Sequence, residues 1–166
     1  MRMFLSIGSN VEPRKNLGLA LEELGRRFEV VAVSSVYRTA PVGDADQPDF
    51  WNLAAELATD EPPGQVHRTL RAIENALGRR RDPDRPFGPR TVDIDLVLAD
   101  GLVGRFEDLD LPSVLVHREA FVAVPLADLA PDFPHPLLGA TIGELARAAS
   151  AAASHPPEPL DVELVR

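Results

Sequence analysis

The sequence predicts an α+β fold, a ferredoxin-like sandwich in which an antiparallel sheet is covered by helices. The order of the local patterns carries this prediction, because strand, helix, strand followed by strand, helix, strand is the ferredoxin-like order. The 166 residues suit one domain with its own core, and 45 % hydrophobic against 26 % charged residues is typical of a globular protein. We expect a single domain over residues 1–154 and a loose acidic tail, rich in proline, over residues 155–166.

The elements of the first half follow from apolar spacing and from turn residues. Leucines at i, i+4 and i+7 form one helical face after Pro13, a residue suited to a first helical turn. The loop that follows the second strand is long, and such loops are usually functional or disordered. The predicted elements are a strand over 2–8, a helix over 13–27, a strand over 29–38, a loop over 39–49 and a strand over 50–58.

The second half alternates in the same way and ends in helices. Pro125 should kink or split the helix that surrounds it. Thr141 and Glu144 have the spacing of a capping box, which predicts the start of the last helix. The predicted elements are a helix over 62–77, a strand over 91–98, a short hairpin over 101–111, a helix over 117–130 and a helix from residue 141.

Charge and composition exclude several classes of function. With 17 Lys and Arg against 26 Asp and Glu, the formal net charge is −9, which disfavours a broad nucleic-acid surface. No apolar run approaches the roughly 20 residues that span a membrane, and the first residues lack a secretory signal. The absence of cysteine excludes disulfides, thiolate zinc sites and a cysteine nucleophile. We expect a cytoplasmic protein, a monomer or a dimer, that acts on small molecules without nucleic-acid or membrane partners.

Five of the 16 arginines lie within twelve residues, from Arg79 to Arg90. Clustered guanidinium groups suit a small polyanion such as a nucleoside triphosphate, because their planar fork matches phosphate oxygens. The alternative is a solvated charged loop in which Asp82 and Asp84 are the partners. On charge alone the solvated loop is favoured.

Two aspartates lie on one face of the strand predicted over 91–98. Its apolar residues alternate and form the core face: Val92, Ile94, Leu96 and Leu98. Asp93 and Asp95 therefore share the other face, roughly 7 Å apart, and repel each other unless a cation lies between them. A carboxylate pair favours Mg²⁺, often with substrate phosphates completing its shell. The alternative is a polar, half-exposed strand face, but aspartate is depleted in strands, so metal binding is favoured.

The arginine cluster leads directly into this strand, since Arg90 lies three residues before Asp93. Arginines for phosphate oxygens beside carboxylates for magnesium form the arrangement that phosphoryl transfer needs. Glu74 lies on the preceding helix, beside the apolar stripe. It could face the same site, although a solvated surface position is the more common one for such a residue.

A second set of residues suits a planar ligand. Phe50 and Asn52 flank Trp51 on the strand over 50–58, so their side chains point the same way. A phenyl ring offers a stacking face, and an amide offers a donor and an acceptor in one plane, which together suit a nitrogen-rich heterocycle. The alternative is that Phe50 belongs to the core and Asn52 to a turn.

Taken together and in collinear order from about residue 3 to residue 135, these motifs resemble one family, the 6-hydroxymethyl-7,8-dihydropterin pyrophosphokinases of folate biosynthesis. The run GPRTVDIDL is especially specific. The motifs that carry the resemblance are SIGSN at 6–10, YRTAPVG at 37–43, QPDFWN at 47–52, IE at 73–74 and GPRTVDIDL at 88–96.

The resemblance implies transfer of pyrophosphate from ATP, the co-substrate, to the pterin hydroxymethyl group, with release of AMP. It implies two Mg²⁺ ions, held by Asp93 and Asp95. The positions implied to bind the pterin are Thr39, Val42, Phe50, Asn52, Phe87 and Phe121. The positions implied to bind ATP are Glu74, Arg79, Arg81, Arg90 and Leu96. The positions implied to be catalytic are Arg81, Arg85, Arg90 and Asp95. The alternative is a degenerate, non-catalytic pterin- or nucleotide-binding module of the same fold.

The sequence departs from the family pattern after Pro112. Where family members carry a His and an Arg that help to hold ATP, this chain has Ser113 and Glu119, with Arg118 one position early. We therefore expect weakened ATP binding. Pro86 also adds a residue within the match of Arg85 and Phe87, which leaves that alignment open.

Overall fold

The computed structural model describes residues 1–78, 84 and 91–164. In the first half, the elements are β1 (Arg2–Ser9), α1 (Pro13–Arg27), β2 (Glu29–Val33), β3 (Val36–Thr39), β4 (Phe50–Ala58) and α2 (Pro63–Ala76). In the second half, they are β5 (Asp93–Ala99), β6 (Gly104–Phe106), β7 (Leu109–Leu111), α3 (Leu115–Arg118), α4 (Ala120–Leu129), α5 (Ile142–Ala152) and β8 (Glu158–Leu160). None of the helices in this part of the chain is long and apolar enough to cross a membrane.

The main sheet has the predicted ferredoxin-like order. β1 is an interior strand, which pairs antiparallel with β4 on one edge and with β5 on the other. β2 and β3 together take the place of one strand, since both pair antiparallel with β4. The order β5–β1–β4–β2/β3 is that of two interleaved strand–helix–strand units. The α+β prediction is confirmed.

Helices cover both faces of this sheet. Met3, Leu5 and Ile7 of β1 pack in a first core layer with the apolar stripes of α1 and α2. The second layer joins Phe4 of β1 to Leu126 of α4 and residues of α5. β1 is therefore buried on both faces, which accounts for its nearly continuous apolar sequence.

A bulge divides β5 between the two layers. The register of β1 against β5 shifts between Phe4 and Leu5, which pair with Leu98 and Leu96. Leu96 consequently packs in the first layer and Leu98 in the second. The predicted single apolar face through residue 98 is wrong beyond Leu96, because the extra residue reverses the alternation. Asp93 and Asp95 precede the bulge and share a face as predicted.

Two elements are interrupted where the sequence did not indicate it. The strand predicted over 29–38 is split at Ser34, whose hydroxyl accepts the Ala54 amide N–H at 2.8 Å in place of a backbone carbonyl. The helix predicted over 117–130 breaks at Glu119, which has an extended backbone, while α4 continues through Pro125. The predicted capping box of Thr141 and Glu144 is confirmed.

The C-terminal segment is ordered over most of the length predicted to be a loose tail. β8 pairs antiparallel with β3, and Glu158 forms an ion pair with Arg38. Beyond this strand, Val162 and Leu164 pack against the first core layer. The expectation of a loose tail is wrong here because residues 158–160 pair with β3 as an edge strand and the apolar residues that alternate from Leu160 onward pack against the first core layer. Pro159 is tolerated there, since an edge strand needs only half of its backbone donors.

Candidate active site

One pocket opens at the edge of the sheet where β1 and β3 end and β4 and β5 begin. The antiparallel register places Gly8 of β1 directly between Asn52 of β4 and Asp93 of β5. We call this concavity the site pocket. The candidate residues that line it, from three strands, the loop after β3 and α4, are Thr39, Val42, Phe50, Asn52, Asp93, Asp95 and Phe121. The pattern-derived pairs Phe50/Asn52 and Asp93/Asp95 are thus brought together in one place.

The Asn52 amide is held in a fixed orientation. Its Nδ2 donates to Thr39 Oγ1 at 2.5 Å, and the residue is only 4 % exposed. On the other side, a Cβ at Gly8 would stand 2.4 Å from Asn52 Oδ1, well inside van der Waals contact. Gly8 lies within β1, and its lack of a side chain makes room for the amide of the neighbouring strand.

An acidic cluster, which we define as Glu74, Asp93 and Asp95, lies along the β5 side of the pocket. Glu74 is 1 % exposed, and its Oε2 accepts the Ile94 amide N–H at 2.7 Å. It therefore ties α2 to β5 between the two aspartates. The expectation of a solvated surface glutamate is wrong, because its position beside the apolar stripe of α2 turns it toward the sheet.

Arg71 of α2 bridges this cluster. Its Nη1 donates to Glu74 Oε1 at 2.5 Å and its Nη2 to Asp95 Oδ1 at 2.9 Å. Nη1 also lies 4.0 Å from Asp93 Oδ1. Pattern analysis missed Arg71, although its spacing of i, i+3 from Glu74 on a helix is a signal that could have indicated an ion pair.

Burial and the neighbouring charge of Asp93 raise the pKa values of Glu74 and Asp95. Burial, and then the charge of Asp93, raise the pKa of Asp95 to about 6, while the hydrogen bond from Arg71 opposes the rise. Burial also raises the pKa of Glu74, against the hydrogen bonds from Arg71 and Ile94. Although burial acts to lower the pKa of Arg71, its bonds to Glu74 and Asp95 outweigh burial and raise that pKa. Arg71 is therefore a permanent cation beside carboxylates that are costly to ionise.

The donor set fits Mg²⁺. All of its members are carboxylates, the oxygen ligands that this hard cation prefers. Within residues 1–78, 84 and 91–164, no group of three or more His, Cys, Asp or Glu is arranged as a metal cage. A carboxylate pair without a full protein shell is typical of Mg²⁺ sites completed by water and substrate phosphates.

Of the remaining candidate positions, one has a buried side chain and five lie outside the described residues. The Leu96 side chain is 1 % exposed and packs in the first core layer, so any nucleotide contact at this position falls to its backbone. The predicted positions that lie outside the described residues, and stay predictions, are Arg79, Arg81, Arg85, Phe87 and Arg90.

A second cavity of about 470 Å³ adjoins the site pocket. The two share a wall that includes Thr39, Val42 and Phe121. Arg118 and Glu119, where the sequence departs from the family pattern, line this second cavity. Arg118 and Glu119 therefore stand next to the site pocket, three and two residues before Phe121.

Comparison with known proteins identifies the family. The model of 7,8-dihydro-6-hydroxymethylpterin-pyrophosphokinase (HPPK) matches residues 4–131. A 2-amino-4-hydroxy-6-hydroxymethyldihydropteridine pyrophosphokinase of Pseudomonas aeruginosa is 41 % identical over 138 residues, which cover 81 % of this chain and 84 % of the relative. A protein of the same name from Methylorubrum extorquens is 42 % identical over 134 residues, which cover 79 % and 84 %.

Some relatives are much longer than this chain. The folic acid synthesis protein FOL1 of Dictyostelium discoideum is 31 % identical over 144 residues, and the match spans 86 % of this chain but 22 % of that protein. The crystal structure of Plasmodium falciparum HPPK-DHPS wild type with STZ-DHP matches with a TM-score of 0.68 and 15 % identity. That match covers 90 % of this chain and 43 % of the other, and at this identity it supports the fold alone. With most of its length matched by the family model, the chain belongs to the 7,8-dihydro-6-hydroxymethylpterin-pyrophosphokinase family.

Proposed function

We propose that the site pocket is where this chain carries out its family's reaction, transfer of pyrophosphate from ATP to the hydroxymethyl group of 6-hydroxymethyl-7,8-dihydropterin in folate biosynthesis. One observation carries the proposal. An aromatic and amide wall and a pair of aspartates line the same pocket, and they are separated in the sheet only by Gly8. A planar heterocycle and a metal-bound triphosphate would therefore meet there.

The pterin half of the pocket is formed by β4, α4 and the loop after β3. Phe50 and Phe121, which both line the pocket, would stack on the two faces of the pterin ring. Asn52, whose amide is oriented by Thr39, would pair with the ring edge. Backbone groups around Thr39 and Val42 would complete the pocket. Aromatic stacking with one fixed amide selects a flat heterocycle and rejects a flexible apolar ligand.

The magnesium half is formed by Asp93 and Asp95, which would hold Mg²⁺, two ions in this proposal. The metal would neutralise charge on the triphosphate. Glu74 acts on this half as a positioning residue, because its bond to the Ile94 N–H fixes the backbone between the two aspartates. Together these carboxylates give the phosphate-binding side of the pocket its shape.

The chemical step we propose is direct attack of the pterin hydroxyl oxygen on the β-phosphorus of ATP. A new O–P bond forms, the bond from the β-phosphorus to the oxygen bridging it to the α-phosphate breaks, and AMP leaves while the hydroxyl proton is released. Catalysis is then positioning and charge neutralisation. We assign Arg81, Arg85 and Arg90 to the charge that builds up on the transferred group, and Arg79 to ATP binding.

The proposal is tested by following AMP formation from ATP with and without 6-hydroxymethyl-7,8-dihydropterin, and by identifying the pyrophosphorylated pterin by mass spectrometry. We expect AMP that depends on the pterin and on Mg²⁺, in equal amount to the new pterin product. Pterin binding without AMP formation would instead identify a non-catalytic binding module.

Replacing Gly8 by Ala is expected to weaken pterin binding at least tenfold and to lower the free energy of unfolding by about 1–3 kcal/mol. The new methyl group would push the Asn52 side chain out of its bond with Thr39. Isothermal titration with the pterin measures the first effect, and chemical denaturation measures the second. Gly25→Ala is the matched control, because nothing lies within 4 Å of a Cβ at that helical position. Pterin affinity in Gly8→Ala equal to that of the control would contradict the role given to Asn52.

Replacing Glu119 by Arg is expected to tighten ATP binding severalfold, with the larger gain at low ionic strength. The substitution exchanges a carboxylate, which repels the triphosphate, for a cation at the position where the family pattern has an arginine that helps to hold ATP, and charges near the surface are screened by salt. Titration with a non-hydrolysable ATP analogue at two salt concentrations measures the effect. Arg118→Ala is the companion variant. If Arg118→Ala weakens binding and Glu119→Arg changes nothing, Arg118 already fills the family's arginine role. If neither variant changes ATP affinity, this segment is not part of the nucleotide site.

A further inference from the structure

The acidic cluster already has a cation of its own. Arg71 donates one hydrogen bond to Glu74 and a second, of 2.9 Å, to Asp95 Oδ1, and it lies 4.0 Å from Asp93 Oδ1. An oxygen that would ligate Mg²⁺ is thus occupied by a guanidinium N–H. A metal ion on Asp95 Oδ1 and the Arg71 Nη2 proton compete for the same lone pairs and repel each other as like charges.

The two partners of Arg71 differ in how firmly they are held. The Glu74 side chain is 2 % exposed and is anchored to the Ile94 N–H, so it remains in place. The Arg71 side chain is 29 % exposed and is carried by a long flexible stem. Arg71 is therefore the component that can leave the cluster while the carboxylates keep their positions.

We propose that Arg71 stands in for the magnesium ion in the metal-free protein: it holds Asp95 and Glu74 together until the metal binds, and the metal then displaces it from Asp95. This inference rests on the magnesium site proposed for Asp93 and Asp95. Arg71 is a positioning residue that keeps the empty site ordered and at the same time lowers its affinity for the free metal. Removing this cation would increase the repulsion among the three carboxylates of the cluster whenever the metal is absent.

The test is the affinity of the free protein for Mn²⁺, measured by the electron paramagnetic resonance signal of the unbound ion. Arg71→Gln is expected to bind Mn²⁺ roughly tenfold more tightly than the unsubstituted chain, because one positive charge next to the metal is removed. Arg68→Gln is the matched control. It removes the same charge one turn earlier on α2, where Arg68 pairs with Glu107 on the surface. This control is expected to bind Mn²⁺ as the unsubstituted chain does.

A second readout separates displacement from a structural role. In the presence of a chelator, Arg71→Gln is expected to melt at a lower temperature than the unsubstituted chain, and saturating Mg²⁺ is expected to remove most of that difference. Arg71→Lys keeps the charge but cannot bridge two carboxylates. Its Mn²⁺ affinity should therefore lie between that of the unsubstituted chain and that of Arg71→Gln. If Arg71→Gln folds poorly, the Mn²⁺ affinity of Arg71→Lys is compared with that of the unsubstituted chain instead.

The outcomes distinguish this inference from the function on which it rests. Mn²⁺ affinity in Arg71→Gln that equals or falls below that of Arg68→Gln would overturn the inference, as would no measurable binding by Arg71→Gln at millimolar Mn²⁺. Asp95→Asn is measured alongside. If it binds Mn²⁺ as well as the unsubstituted chain, the proposed metal site itself is wrong, whatever Arg71 does.

Discussion

Asp95→Asn is expected to lower turnover by about three orders of magnitude or more while the chain stays folded. Asparagine has nearly the same shape as aspartate and its Oδ1 can still accept from Arg71, but it lacks the negative charge that holds a magnesium ion. Without the ion, the charge on the triphosphate is no longer neutralised as the O–P bond forms. Initial rates of AMP formation at saturating ATP and pterin measure the loss.

Folding of this variant is not expected to suffer at neutral pH. The pKa of Asp95 is raised by burial to about 6 from its ordinary value near 3.8, so the folded state disfavours its ionised form. A carboxyl group with a raised pKa favours folding less at pH 7 than at pH 4, and asparagine removes that penalty. Asp110→Asn is the control, since Asp110 is exposed and pairs with Arg105 on the β6–β7 hairpin. Turnover near that of the control would rule out Asp95 as a metal ligand.

Phe50→Ala and Asn52→Ala are each expected to weaken pterin binding roughly a hundredfold and ATP binding by less than threefold. The first removes a stacking face, and the second removes the only fixed amide assigned to the pterin edge. Separate titrations with the pterin and with a non-hydrolysable ATP analogue measure the two affinities. Phe106→Ala controls for loss of a partly buried ring, because Phe106 packs against the first core layer. Equal losses for both ligands would show that the pterin and the nucleotide have been assigned to the wrong halves of the pocket.

The parts of the site that could be predicted from the sequence are those that depend only on local periodicity. The two-residue repeat of a strand is enough to place Phe50 with Asn52 and Asp93 with Asp95. It does not reveal that the two pairs meet, because that requires the register of β1 between β4 and β5. The family motifs supplied this link before the structure did.

The features that sequence analysis missed depend on distant partners. The burial of Glu74 follows from the packing of α2 on β5. The apolar stripe of α2 alone does not indicate which strand the helix packs against. The reversal at Leu98 follows from a bulge, which is a property of two paired strands. β8 was missed because its edge position depends on β3, more than a hundred residues earlier in the chain. Prolines near it made a loose tail the more natural prediction.

The central position of β1 has a consequence for how the protein loses activity under denaturing conditions. β1 is paired on both edges and buried on both faces. Its Gly8 pairs with Asn52 in the pterin half of the site pocket and with Asp93 in the magnesium half. The distance between the pterin wall and the aspartates is thus set by an interior strand of the sheet. Amide hydrogens of β1 should exchange with solvent only through global unfolding. Binding of the pterin should then disappear at the same denaturant concentration as the native fold, with no inactive but folded form preceding it.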